Sequence, residues 1–237
     1  MTRSGPPPKD PKMKRRRNKD LVESIELPST PIGSVKSTPS VDPTWHSISR
    51  QLYMSYASSP AAAFFEPSDW AQLRYVCAFI SSILYKGEYG ADYPDEYKIG
   101  LDAVASTVSA LEDFLTTEAT RRRLRISIDP SKTIWSEPLP YWHELATDWF
   151  MSLRQSGQSM YYQSTDIAFA VLVAEIIHRH VSSGMNGKMM ATITRACSLL
   201  LTTESARRLA QMELAKAADD SMDAHITSLM EEYARDI

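Results

Sequence analysis

From Trp45 onward, apolar and polar residues alternate at a helical period. Trp45, Ile48, Leu52 and Tyr56 fall at i, i+3, i+7 and i+11, one face of a helix. Trp142, Leu145, Trp149 and Leu153 repeat that spacing 97 residues later. A second helix is expected to start at Ser68-Asp69 and again at Thr165-Asp166, since Ser and Thr are good N-cap residues. It would bury Trp70, Leu73, Cys77, Ile80 and Leu84 in the first case, and Ile167, Ala170, Ala174, Ile177 and Val181 in the second. A third helix ends near Leu115 or Leu201. Thr117 and Thr203 then cap a fourth, whose first turn carries Glu118 or Glu204, the charge that a helix N-terminus favours. Met222, Ile226, Leu229 and Tyr233 form an apolar stripe on a terminal acidic helix. Strand-like alternation is confined to Leu124, Ile126 and Ile128, so the expected fold is all-α.

These parallels reflect an internal duplication. Trp45-His46 recurs as Trp142-His143, and Phe64-Phe65-Glu66-Pro67-Ser68-Asp69 aligns with Tyr161-Tyr162-Gln163-Ser164-Thr165-Asp166, both at an offset of 97. Leu115-Thr116-Thr117-Glu118 with Arg121-Arg122 recurs as Leu201-Thr202-Thr203-Glu204 with Arg207-Arg208, at an offset of 86. The first copy therefore holds about eleven extra residues, placed at 86–94 where two glycines and a proline interrupt the pattern. The expected organisation is a disordered basic arm over 1–43, a helical unit over 44–130, a related unit over 131–216 and an acidic helix over 217–237. Prolines at 6, 7, 8, 11, 28, 31, 39 and 43 keep the arm from forming a helix.

Composition changes this picture mainly through charge. The 237 residues are 43% hydrophobic, enough for a core and too many for a wholly disordered chain. The net charge of −3 conceals a strong asymmetry. In residues 1–20, Arg3, Lys9, Lys12, Lys14, Arg15, Arg16, Arg17 and Lys19 oppose only Asp10 and Asp20, giving +6; the other 217 residues sum to −9. From Glu213 onward the charge is −5. A concentrated cationic segment on an acidic body points to contact with a polyanion, because flexible cations neutralise phosphates whatever the base sequence. Arg3-Ser4-Gly5-Pro6 suits a narrow minor groove, where Arg reads A·T-rich shape. Arg121, Arg122, Arg123 and Arg125, echoed by Arg207-Arg208, are a second set of candidate DNA contacts. They are equally placed to pair with Glu118, Asp129 or the acidic tail and to solvate a helix face.

Little in the chain suggests catalysis. Cys77 and Cys197 are too few for a disulfide framework, and no Cys/His cluster has zinc spacing, so neither metal nor cofactor is expected. There is no G-x-x-x-x-G-K-[ST] loop and no H-E-x-x-H, and Gly157 reads as a helix end or turn. His46 and His143 read as packing or capping residues; His178 and His180, two apart, point away from each other on a helix. Met185, Met189 and Met190 read as core filler. No apolar run approaches the roughly 20 residues of a membrane span, and the basic N-terminus lacks the apolar stretch of a signal peptide. A soluble, intracellular, non-enzymatic protein is expected.

Taken together, these residues resemble the small terminase subunits of tailed phages, above all those of actinobacterial phages. The similarity rests on Gly5-Pro6-Pro7-Pro8-Lys9, Arg15-Arg16-Arg17-Asn18-Lys19-Asp20, both Trp-His pairs, Phe64-Phe65-Glu66-Pro67-Ser68-Asp69-Trp70, Ser156-Gly157-Gln158-Ser159, Tyr161-Tyr162 and the two Thr-Glu-plus-arginine closings. It spans nearly the whole chain. The resemblance implies a helical, ring-forming homo-oligomer in the host cytoplasm that recognises double-stranded viral DNA and delivers it to the large motor-nuclease subunit. The Met222, Ile226, Leu229 and Tyr233 face would then dock on that subunit. The chain departs from the family pattern in carrying the unit twice and in lacking a clear helix-turn-helix. A structural assembly adaptor and a phage transcription regulator are the alternative readings.

Overall fold

The computed structural model describes residues 40–85, 99–126 and 133–212. The basic arm up to residue 39, the insertion at 86–94 and the acidic helix over 217–237 lie outside the described residues. Two runs of four helices follow one another in the same order. The first comprises α1 (Ser47–Ser58), α2 (Pro67–Tyr85), α3 (Leu101–Glu112) and α4 (Glu118–Arg123); the second comprises α5 (Glu144–Gln155), α6 (Ser164–Ser182), α7 (Gly187–Leu199) and α8 (Glu204–Leu209). A short 3-10 turn links the first two helices of each run, Pro60–Phe64 and Gly157–Tyr161. No strand occurs among the described residues. The extra residues of the first unit fall where the sequence places them, between α2 and α3. No helix among the described residues is long and apolar enough to cross a membrane.

The caps show why the same sequence landmarks recur. His46 and His143 are the N-caps of α1 and α5, and each Nδ1 accepts the N–H two residues on, at 3.2 Å in both. Thr117 and Thr203 cap α4 and α8 as expected. The second helices start slightly earlier than Ser68 and Thr165 suggest. α2 starts at Pro67 and α6 at Ser164, so Asp69 and Asp166 occupy the third helical position. From there each carboxylate accepts a backbone N–H from before the helix, Glu66 at 2.7 Å and Gln163 at 2.8 Å. A carboxylate reaching back in this way is one half of a capping box. The side chain satisfies a donor that the helix leaves open.

The ends of the third and fourth helices also match. Leu115 and Leu201 have φ of 57° and 55°, and Arg125 and Gln211 have 59° and 56°. A left-handed Leu is unfavourable because its Cβ crowds the following carbonyl. In both units an arginine compensates: Nη1 of Arg121 donates to the Leu115 carbonyl at 3.1 Å, and Nη1 of Arg207 donates to the Leu201 carbonyl at 3.2 Å. This explains why the leucine and the arginine six residues later recur together.

Trp70, Leu73, Cys77, Ile80 and Leu84 are buried along α2, as its period predicts. α6 is buried over most of its circumference, Ile177 and Val181 only partly so. Tyr56 bridges the helices of its unit by hydrogen-bonding the Thr116 hydroxyl, and burial raises its phenol above the ordinary range. α5 departs from expectation. Its core residues are Ala146, Phe150 and Leu153, while Leu145 is 50% exposed and Trp149 half-buried. Met189 enters the core, but Met185 and Met190 are exposed.

Candidate nucleic-acid interface

The arginine run of α4 is divided by the helix itself, because successive residues point about 100° apart. Arg121 turns inward and is fully buried. Its Nη2 donates to Asp166 Oδ2 at 2.5 Å and to Glu118 Oε2 at 3.1 Å, and its Nη1 holds the Leu115 and Thr116 carbonyls. Asp166 also accepts the Glu118 N–H at 2.7 Å, so one carboxylate of the second unit fixes the start of α4 in the first. Burial pushes the Asp166 and Glu118 carboxyls up while the guanidinium opposes it. Burial alone would lower Arg121, but the Asp166 and Glu118 charges outweigh that and hold it above its ordinary value. The geometry gives Arg121 a role in joining the two units and leaves it no surface to offer a phosphate.

Its neighbours face outward. Arg122 pairs with Glu118 at 2.8 Å and lies over the Tyr161 ring, 5.1 Å from the centroid. Arg123 reaches Glu112 at 3.3 Å, and Arg195 on α7 reaches the same carboxylate at 2.7 Å; both arginine side chains are about 60% exposed. Arg125 is exposed on the left-handed turn that ends α4. Together with Tyr161 these four arginines line a groove of about 900 Å³, in which only Glu112 and Glu118 oppose them. Excess positive charge beside an aromatic face suits a phosphodiester backbone. Arg207 and Arg208 pair with Glu204 at 3.1 and 2.8 Å.

Arg195 and Tyr161 are members of this groove that reading along the chain does not reveal. Arg195 stands alone among polar residues of α7, and only the packing of α4 on α7 brings it to the α4 arginines. Arg3, Lys9, Lys12, Lys14, Arg15, Arg16, Arg17 and Lys19 lie outside the described residues, as do Met222, Ile226, Leu229 and Tyr233.

The other reactive groups have structural surroundings. Burial pushes both Cys77 and Cys197 thiols up to about 12, far from the thiolate a nucleophile needs. His178 accepts the His143 N–H at 3.0 Å, and burial lowers its basicity. His180 accepts the Asn186 N–H at 2.9 Å at the turn into α7. Among the described residues no three His, Cys, Asp or Glu side chains converge as a metal site would require.

Neither curated proteins nor solved structures yield a match to this chain. A family model described as phage terminase small subunit matches twice, over residues 3–137 and 131–237. The two matches divide the chain near the boundary between α4 and α5, as a tandem duplication requires. With most of its length matched and two equivalent helical units in succession, the chain belongs to the phage terminase small subunit family.

Proposed function

We propose that the protein is a non-catalytic, DNA-contacting subunit of the phage packaging machinery, active in the host cytoplasm. It recognises double-stranded viral DNA, then recruits and regulates the large motor-nuclease subunit. Two cationic elements share the DNA contact. The N-terminal segment supplies Arg3, Lys9, Lys12, Lys14, Arg15, Arg16, Arg17 and Lys19. The groove on the helical body supplies Arg122, Arg123, Arg125 and Arg195, and Arg121 acts by holding that surface in place. The protein self-associates, which turns weak contacts by each chain into useful avidity. The acidic C-terminal segment, through Met222, Ile226, Leu229 and Tyr233, is the docking element for the large subunit.

The observation that carries this reading is the convergence of four arginines from α4 and α7 on one groove, in a member of this family. Phosphate contacts release counterions, so binding must fall with salt at a logarithmic slope of about 0.9 per contact. Titrating labelled duplex DNA over a salt series measures that slope. Replacing Arg123, Arg125 and Arg195 by alanine is expected to flatten it by about 2–3 and to weaken all DNA sequences alike. An unchanged slope would remove the groove from the DNA contact. Tight binding at a single operator with no response from the motor subunit would instead favour a transcription regulator.

A further inference from the structure

The contact between the two units runs one way. α1, α3 and α4 of the first unit pack on α6 and α7 of the second, and only α3 with α7 joins equivalent helices. Ser164 of α6 donates to the Ser55 carbonyl of α1 at 2.8 Å, and Arg121 of α4 meets Asp166 of α6. A two-fold relation between the units would also pack α5 on α2, and that pair makes no comparable contact. The arrangement is therefore heterologous, and each unit keeps one half of the same interface unused.

The unused halves are recorded in the exposure of equivalent residues. On the acceptor side, Leu172 and Ile176 of α6, the helix on which α1 packs, are buried, at 1% and 4% exposure. Their α2 equivalents, Tyr75 and Phe79, are 74% and 38% exposed. On the donor side, Ile48 and Leu52 of α1 are buried, whereas their α5 equivalents are the exposed Leu145 and half-buried Trp149. The charges follow the same rule. Asp69, the equivalent of Asp166, uses Oδ2 for the Glu66 N–H, and its Oδ1 has no partner among the described residues. Nη2 of Arg207, whose Arg121 equivalent binds both Glu118 and Asp166, binds Glu204 alone among the described residues. Each chain thus carries an apolar stripe with an arginine at one end and a complementary stripe with an aspartate at the other.

We propose that a second copy of this chain occupies these surfaces head to tail. Leu145 and Trp149 of one copy cover Tyr75 and Phe79 of the next, and Arg207 meets Asp69 as Arg121 meets Asp166 within the chain. The proposal rests on the self-association put forward above and specifies its interface. Each junction between chains then reproduces the junction inside one, so the units follow each other without a break in register.

Sedimentation of the full-length chain at micromolar concentration, with paired charge reversals, tests it. Wild type is expected to run well above the 26.7 kDa of one chain. Asp69→Arg and Arg207→Asp alone should each weaken association about 100-fold or more, and the two combined should restore it, because opposite charges again face each other. Asp69 also closes the start of α2 and Arg207 secures α8, so Tyr75→Glu, on a side chain that the isolated fold leaves exposed, serves as the second variant and should dissociate the assembly into a chain that keeps its helical circular dichroism. An assembly that withstands all three single substitutions overturns this interface while leaving self-association intact. A wild-type monomer overturns both.

Discussion

Replacing Arg121 by methionine is expected to destabilise the protein by about 3–5 kcal/mol, the cost of stranding buried charges by removing one partner. Asp166 is fully buried and depends on this guanidinium for its countercharge, while Glu118, nearly buried, would keep only Arg122. The Leu115 carbonyl, on a left-handed residue, would lose its side-chain donor as well. For a chain of this size the loss corresponds to a fall in melting temperature of roughly 6–20 °C. Calorimetry or circular dichroism measures it directly. Arg207→Met, made in the Tyr75→Glu background so that self-association plays no part, is the internal control, since only the Leu201 carbonyl bond and the pair with a 53% exposed Glu204 side chain are lost there. Water compensates for that loss, so the effect should be a small fraction of the Arg121 value. Equal losses at both positions would mean that Asp166 contributes nothing beyond the local turn. The buried ion network need not raise stability over an apolar equivalent; its stronger effect is to fix how α4 sits on α6, because only one register satisfies all its donors.

The second large effect concerns DNA. Deleting residues 1–20 removes eight cations and two acids. If most of those cations contact phosphate, affinity at low salt should drop by about 100-fold or more, and the salt slope should lose several units. The described helices do not include these residues, so the melting temperature is expected to stay the same. Anisotropy with a labelled duplex at two salt concentrations decides the matter. Full affinity in the truncated chain would assign the contact to the α4–α7 groove alone and make the N-terminal segment a solubilising tail.

The duplication, the helix order and most caps were legible along the chain because they depend on local chemistry. Trp-His marks one N-cap and Thr-Glu another, whereas the left-handed Leu held by the arginine six residues on emerges only from the structure. Which face of a helix is covered is not local. Leu145 and Trp149 carry the same spacing as Ile48 and Leu52, yet only the first-unit pair is buried, because α1 packs on α6 while α5 does not pack on α2. An apolar stripe at helical spacing marks a surface that something covers, and it does not distinguish the chain's own core from a neighbouring subunit. The run Arg121-Arg122-Arg123 shows the same limit. Three identical residues differ only in direction, and the carboxylate that draws Arg121 inward comes from 45 residues away, in the other unit. Arg195 joins the groove through tertiary packing alone. The N-caps of α2 and α6 were misplaced by two residues because Ser68 and Thr165 resemble caps, whereas it is the following aspartate that reaches back to the preceding N–H.

Native mass measurement of the full-length protein with and without duplex DNA tests the central claim most directly, since it reads subunit number and DNA uptake in one spectrum. The account predicts a multimer that gains the mass of bound duplex and releases it as salt is raised. A species of 26.7 kDa that takes up no duplex even in dilute buffer would contradict it.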